Sequence, residues 1–275
     1  MTTALRPLGL GELLDKSFFL YGKNFVIFIG IVALPYLGFL AFQLLGVALR
    51  MQAGGPFSGR YWLWLIGTLI LQVVAAGASK GAVVVAVSNL YLGKDASISK
   101  AFAGIKGRIL SLSFILMVMW IAIAFGCIFI AIPGIFLALV LALVFPVAVL
   151  EGHGLVDSIA RSWVLTKGSR LRILVIYILY IFLFCVLVWL WEIPMLAAVG
   201  ILASRASSPG MLPLWMQIVF PVCFFLSLSL VTPLSTIALS LTYYDQKVRK
   251  EAFDLQHMMA TLDSAPGGAA TALPG

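Results

Sequence analysis

The sequence contains few charged residues. Only 10% of its 275 residues are Asp, Glu, Lys or Arg, whereas a soluble globular domain carries about 25%. So few charges cannot cover the surface of a soluble protein of this size, and that class is excluded. The mean hydropathy of +1.12 indicates a chain that lies in lipid.

Signals for several other classes are missing as well. Apolar and polar residues do not alternate with a period of two, so a membrane β-barrel is not predicted. The three cysteines, Cys127, Cys185 and Cys223, lie inside apolar runs and match neither a metal motif nor a disulfide framework. The N-terminal segment has no apolar core followed by a cleavage site, so we expect no cleavable signal peptide. We also expect no metal and no cofactor.

Long apolar runs are what the sequence does contain. A helix needs about 20 apolar residues to cross about 30 Å of hydrocarbon. Six runs of this kind occur, at residues 25–49, 61–92, 109–132, 134–150, 171–202 and 212–243. We therefore predict an all-α, polytopic membrane protein with six transmembrane helices.

Basic residues are distributed unequally between the connections. The segment before the first run, those between runs two and three and between runs four and five, and the segment after run six hold 14 of the 18 basic residues. These are Arg6, Lys16, Lys23, Lys94, Lys100, Lys106, Arg108, Arg161, Lys167, Arg170, Arg172, Lys247, Arg249 and Lys250. Because Lys and Arg accumulate in cytoplasmic loops, we predict that both termini are cytoplasmic. The net charge of +8 then favours contact with anionic lipid head groups rather than with nucleic acid.

A short motif occurs three times, each time directly before an apolar run. The copies read ELLDKSFFLYGKNF, ASISKAFAGIKGRI and DSIARSWVLTKGSR. Each has a basic residue two positions before a large aromatic residue, with a small residue between them. The basic and aromatic residues are Lys16 with Phe18, Lys100 with Phe102, and Arg161 with Trp163. We predict a single membrane domain, residues 1–262, built from three repeats at about 8–92, 93–150 and 151–262, and a disordered tail at 263–275.

Each copy is amphipathic at helical spacing, which is typical of a helix that lies at the membrane–water interface. We call these three interfacial helices the collar. Ser97 and Asp157 are expected to cap the first turns of the second and third collar helices. Gly22, Gly107 and Gly168 are expected to end the three helices and release the chain into the next span.

Three segments together resemble the membrane domain of bacterial glycerophosphoryl diester phosphodiesterases. They are LRPLGLGELLDKSFFLYGKNF, LEGHGLVDSIARSWVLTKG and PLSTIALSLTYYDQKVRKEAFDL, and the likeness extends to about Leu262. In that family a separate soluble barrel carries the hydrolysis, and only DSAPGGAATALPG follows here. The resemblance therefore implies a bacterial inner-membrane fold without implying an activity.

Glu151, His153 and Asp157 form the most polar segment of the chain, and an acid, a base and an orienting residue are one interpretation of them. The other two copies of the motif contain no histidine, and no nucleophile or metal ligand accompanies the three. We therefore favour a structural role at the membrane surface and predict no catalytic residue. Glu151 is then expected to bind backbone amides or a basic neighbour.

Lys80 lies inside the second apolar run, where a lysine is costly unless it snorkels, pairs or lines water. We favour snorkelling towards the cytoplasmic interface. The alternative is a buried polar site in which Glu151 is a conceivable partner. Gly77 and Gly81 flank Lys80 and predict a close contact with another helix.

Three functions follow from these observations. The first is a non-enzymatic membrane module, a scaffold or accessory subunit that binds a membrane protein partner, a second copy of itself or lipid. The second is a transporter or lipid-handling protein with a polar pathway near Lys80. The third is an intramembrane enzyme that acts on a glycerophospholipid through Glu151 and His153.

Overall fold

The computed structural model describes residues 8–50, 57–129, 131–205 and 214–251. Within these ranges the chain forms helices and no strand. In chain order the helices are α1 (Leu10–Lys23), α2 (Phe25–Ala48), α3 (Gly59–Tyr91), α4 (Ile98–Ala103), α5 (Ile109–Phe129), α6 (Ala131–Leu141), α7 (Val144–Leu150), α8 (Leu155–Thr166), α9 (Arg170–Arg205) and α10 (Leu214–Glu251).

Six stretches of helix are long and apolar enough to cross a membrane, which confirms the predicted class. They are Phe25–Ala48, Gly59–Tyr91, Ile109–Ile128, Ile132–Leu150, Arg170–Ala198 and Leu214–Glu251. The fourth consists of α6 and α7, which are separated by a short break at residues 142–143. The protein is thus a multi-pass helical membrane protein, and its predicted orientation stays a prediction.

The three collar helices are α1, α4 and α8, and each precedes a span. Because successive spans run in opposite directions, the collar helices and the C-terminal end of α10 lie at one end of the bundle, here called the collar end. Contacts within this end support the assignment. The Tyr91 and Tyr244 rings, at the ends of α3 and α10, stack with centroids 4.8 Å apart.

The middle of the bundle is built around α3, whose second half is largely buried and begins, at Ala75, with a segment rich in alanine and glycine. A Cβ atom on Gly77 would lie 2.8 Å from the Cα atom of Ser113 in α5. A Cβ atom on Gly81 would lie 3.0 Å from a methyl carbon of Leu112. The predicted close approach at these two glycines is therefore confirmed, and α5 is the helix that makes it.

Of the three glycines expected to end the collar helices, only Gly168 directly follows its helix end, with a φ angle of +88° in the region that glycine adopts most readily. Gly107, with a φ angle of +79°, lies in the turn before α5, because α4 already ends at Ala103. Gly22 lies inside α1, which ends one residue later at Lys23 and passes through Asn24 directly into α2. The prediction for Gly22 is wrong because its neighbours continue the helix without a left-handed turn.

Of the two predicted helix caps, one is present in the structure and one is not. The Ser97 hydroxyl accepts a hydrogen bond from the backbone N–H of Lys100 at 3.3 Å, so it caps α4 as predicted. Asp157 instead lies within the first turn of α8, and the cap position is taken by Gly154. A carboxylate there still interacts favourably with the helix dipole.

The threefold repeat stays a prediction, although one property is common to its copies. The small residues that precede the aromatic residues, Ser17, Ala101 and Ser162, each have 0% of their surface exposed. A larger side chain at these positions would separate the collar helices from the spans beneath them. The predicted tail at 263–275 lies outside the described residues.

Candidate functional site

Glu151, at the end of α7, is the centre of an ionic cluster at the collar end. Its carboxylate accepts hydrogen bonds from Arg161 Nε at 3.0 Å and from the Tyr243 hydroxyl at 2.7 Å. Lys247 Nζ lies 3.1 Å from the same carboxylate. His153 Nδ1 lies 3.5 Å from it and is half-exposed. Three helices, α7, α8 and α10, are thus joined through one side chain.

The protonation of Glu151 follows from these contacts. Burial raises the pKa of Glu151, but hydrogen bonds from Arg161, Tyr243 and Lys247 outweigh that effect and hold its pKa below the ordinary value. Burial lowers the pKa of Arg161, and its pairs with Glu151 and Glu251 raise it above the ordinary value. Glu151 is therefore an ionised structural anchor, and its lone pairs are occupied by donors from this chain.

Asp245, in α10, is the centre of a second cluster. Its side chain is 1% exposed and accepts a hydrogen bond from the backbone N–H of Leu8 at 2.7 Å. Arg172 Nη1 and Arg249 Nε lie 3.3 Å and 2.9 Å from its carboxylate. Both arginines also donate to the Leu8 carbonyl. The two carboxylates together connect the start of α1, the start of α9 and, through Arg161, α8 to α10.

Lys250 adds a third connection between α10 and the collar. Its ammonium group donates to the carbonyl oxygens of Val164 and Lys167 at 2.6 Å and 2.7 Å, and to that of Leu165 at 3.0 Å. These carbonyls end α8 and have no partner within the helix. The last two turns of α10 therefore fix the position of the C-terminal end of α8.

The predicted collar residues have different surroundings in the three helices. Lys16 lies over the Tyr91 ring at 4.3 Å, whereas Lys100 is exposed and Arg161 joins Glu151. Phe18 and Trp163 are 45% and 48% exposed, in contrast to Phe102, which packs against the core. The sequence motif is thus shared, but only the first and third helices expose their aromatic residue.

Trp163 is part of an aromatic and basic group at the surface. Its ring lies edge-on to Phe136 with centroids 6.0 Å apart. The guanidinium of Arg170 lies 4.7 Å from the Phe136 ring and 5.2 Å from the Trp163 ring. Next to this group Val164 is exposed. Apolar surface beside a cation is the arrangement found in helices that bind the interface of anionic membranes.

Lys80 occupies a separate place in the interior of the bundle. It lines a cavity of about 80 Å³ between α3, α5, α7, α9 and α10, together with Tyr177, Tyr180, Ser235 and Thr236. Its side chain is partly exposed, so the favoured prediction that Lys80 snorkels towards the cytoplasmic interface stays a prediction. The suggested Glu151 partner is wrong, because that carboxylate is held in the collar by Arg161 and its other partners.

Three residues that line these polar clusters or the Lys80 cavity were not singled out from the sequence. Asp245 was visible as one of only 10 acidic residues in the chain, placed beside an aromatic pair and a basic cluster. Tyr243 was visible only as a member of that aromatic pair, and Tyr177 gave no signal, because a tyrosine in a membrane span is common. Their roles depend on which helices lie beside them.

Comparisons with known proteins do not assign the chain. No family model, curated protein or solved structure matches it significantly. The resemblance to the membrane domain of glycerophosphoryl diester phosphodiesterases therefore stays a prediction from three sequence segments.

Proposed function

We propose that this protein is a non-enzymatic membrane module, a scaffold or accessory subunit that binds anionic lipid through the collar. The observation that supports this most strongly is the surface around Trp163 in α8, where exposed apolar side chains lie beside Arg170 of α9. The position of α8 is fixed by its contacts with α10. Such a helix is oriented before it meets the membrane, so binding lipid costs little ordering entropy.

The collar end is the cytoplasmic side in this proposal, and the membrane is the bacterial inner membrane. The basic residues described above favour that side, since anionic lipids give the cytoplasmic leaflet its negative potential. A protein partner, or a second copy of the chain, would have to bind largely within the membrane, because the loops between the described helices are short.

A purification experiment tests this function. The protein is extracted in a mild detergent and its bound molecules are identified by native mass spectrometry. We expect anionic phospholipid to be retained by the wild-type protein and lost from the double variant Trp163→Ala, Arg170→Gln. As a matched control, Trp189→Ala removes an exposed tryptophan from α9, away from the collar. Equal retention by all three proteins would contradict the role of the collar.

The same spectra address the other two functions. A membrane protein bound in fixed proportion would favour the accessory-subunit form of the proposal. Lipid handling is favoured by one specific observation, the cavity around Lys80. The enzyme hypothesis has less support, because Arg161, Tyr243 and Lys247 occupy the carboxylate of Glu151.

A further inference from the structure

Lys80 is a cation in the middle of a span, with no counter-ion among the described residues. Eleven residues separate it from Tyr91 at the end of α3, which corresponds to about 16 Å of helix. Within the described ranges its ammonium group makes no hydrogen bond and no ion pair. The side chain is partly exposed and lines the cavity of about 80 Å³. The cavity is therefore a place where a partner for this charge can bind.

The acidic residues of the described chain do not supply that partner. The wall of the cavity contains no Asp and no Glu. Glu192 lies in α9, twelve residues beyond Tyr180 of the cavity wall, which corresponds to about 18 Å of helix. The other described acidic residues lie in or beside the collar, and they are Glu12, Asp15, Asp95, Glu151, Asp157, Asp245 and Glu251. Because an uncompensated charge in a span is costly, an anion in the cavity would stabilise the ammonium group.

Tyr177, which also lines the cavity, provides a second free donor. In the part of the chain that the structure describes, its hydroxyl group has no hydrogen-bond partner. The other hydroxyl groups of the wall are engaged, because Ser235 and Thr236 both donate to the carbonyl of Thr232 at 3.0 Å. Tyr180 has a hydrogen bond with the side chain of Thr232. An ammonium group and a phenol that lack acceptors in this chain match the needs of an anion.

The size, charge and walls of the cavity limit the kind of anion that fits. A water molecule takes about 30 Å³ in the liquid, so about 80 Å³ holds an ion of the size of chloride and little more. One ammonium group compensates one negative charge, whereas a divalent anion would leave a charge unpaired in the span. Most of the wall is apolar, and Val84, Leu116 and Leu239 belong to it. Apolar walls favour an anion that loses its hydration shell easily.

We propose that Lys80 and Tyr177 bind a small monovalent inorganic anion, of the size of chloride, in this cavity. Lys80 supplies the compensating charge, and the hydroxyl group of Tyr177 donates a hydrogen bond to the same ion. A Lys80 side chain that extends to the interface instead would leave the cavity without its cation and therefore without its anion. The site is distinct from the collar surface at Trp163, so either proposal stands or fails without the other.

The test measures chloride binding to the full-length protein in phosphatidylcholine nanodiscs, which carry no net lipid charge. The line width of the chloride NMR signal reports the bound fraction as sodium chloride replaces sodium gluconate, a bulkier anion, at constant ionic strength. In Lys80→Met we expect about a tenfold loss of affinity for chloride, and in Tyr177→Phe about a threefold loss. Lys94→Met, which removes an exposed lysine, is the matched control and should bind as the wild type does.

Thermal unfolding of the same samples provides an independent measure. A ligand that binds only the folded protein raises its melting temperature as the ligand concentration rises. We expect chloride to raise the melting temperature of the wild type and of Lys94→Met, and to leave that of Lys80→Met unchanged relative to gluconate.

Two results would overturn the proposal. The first is the same chloride dependence in the wild type and in Lys80→Met, which would leave only water in the cavity. The second is displacement of chloride by sulfate as effectively as by nitrate, which would contradict a site for monovalent anions. Size-exclusion profiles establish that each variant is folded. If Lys80→Met does not fold, Tyr177→Phe retains the test, and an unchanged affinity in that variant would count against the site.

Discussion

Asp245, near the end of the last helix, accepts a hydrogen bond from the backbone N–H of Leu8 at 2.7 Å, across 237 positions of sequence. The contact joins the start of the first collar helix to α10. Arg172 and Arg249 each bind both the carboxylate of Asp245 and the carbonyl of Leu8. One buried carboxylate therefore fixes where the chain enters the bundle and where α9 begins.

Replacement of this carboxylate should weaken the whole collar end. In Asp245→Asn two arginines lose their counter-ion at a site that is 1% exposed, and we expect a loss of about 3 kcal/mol in the free energy of unfolding. Thermal unfolding in detergent measures the effect. Asp95→Asn, at an exposed carboxylate near α4, is the control and should leave the melting temperature unchanged. Equal melting temperatures for both variants would show that Asp245 does not anchor the collar.

The contact between α3 and α5 leaves no room for a side chain at Gly77. A Cβ atom there would meet the Ser113 backbone at 2.8 Å, so Gly77→Ala should destabilise the protein by about 1–3 kcal/mol. Gly38 in α2 is the matched control, because a Cβ atom there meets nothing within 4 Å. Gly38→Ala should be neutral or slightly stabilising, since alanine favours helix. Unfolding by denaturing detergent compares the two, and a smaller effect at Gly77 than at Gly38 would contradict the packing.

Stability should depend on pH through Glu151. Its pKa is lower in the folded protein than in the unfolded chain, so its contribution is complete above the ordinary pKa and is lost as pH falls through the lowered value. The difference in melting temperature between wild type and Glu151→Gln should therefore be largest near neutral pH and shrink in acid. Asp157→Asn, at an exposed carboxylate in α8, is the control. A difference that grows towards acid pH would refute this account of Glu151.

Arg108 joins the second collar segment to α7. Its guanidinium donates to the carbonyl oxygens of Ala148 and Val149 at 2.7 Å and 3.4 Å, at the end of that helix. We expect Arg108→Gln to cost about 1–2 kcal/mol in the free energy of unfolding, because these terminal carbonyls lose a charged donor. Lys106→Gln is the control, since Lys106 is exposed two residues away. Hydrogen exchange at residues 148–151 provides a local measure, and unchanged protection there would contradict the contact.

The spans and the close helix contact at Gly77 could be predicted from the sequence because each depends on local composition. About 20 apolar residues fix a span whatever lies around it. Small residues spaced four positions apart predict that another helix packs closely against α3, but they do not predict that this helix is α5. The collar was predicted for the same reason, since its amphipathic pattern lies within a few turns of helix.

The polar sites could not be predicted to the same extent. Tyr243 reaches Glu151 across 92 positions, and no local pattern records such a pairing. Lys80 was assigned to the interface because its own helix permits snorkelling, and nothing in the sequence indicates that residues from four other helices line a cavity beside it. Gly22 was given a terminating role because the motif was aligned with Gly107 and Gly168. The first copy differs in that it continues into its span.

The proposed function requires that all three collar helices lie at one face of the membrane. Single cysteines at positions 18, 100 and 163, in a background without Cys127, Cys185 and Cys223, test it directly. A membrane-impermeant maleimide is added to sealed vesicles of known orientation, and Phe57→Cys, between α2 and α3, reports the opposite face. We predict that positions 18, 100 and 163 react from the cytoplasmic side and position 57 from the other. Reaction of any one collar position from the same side as position 57 would contradict the account.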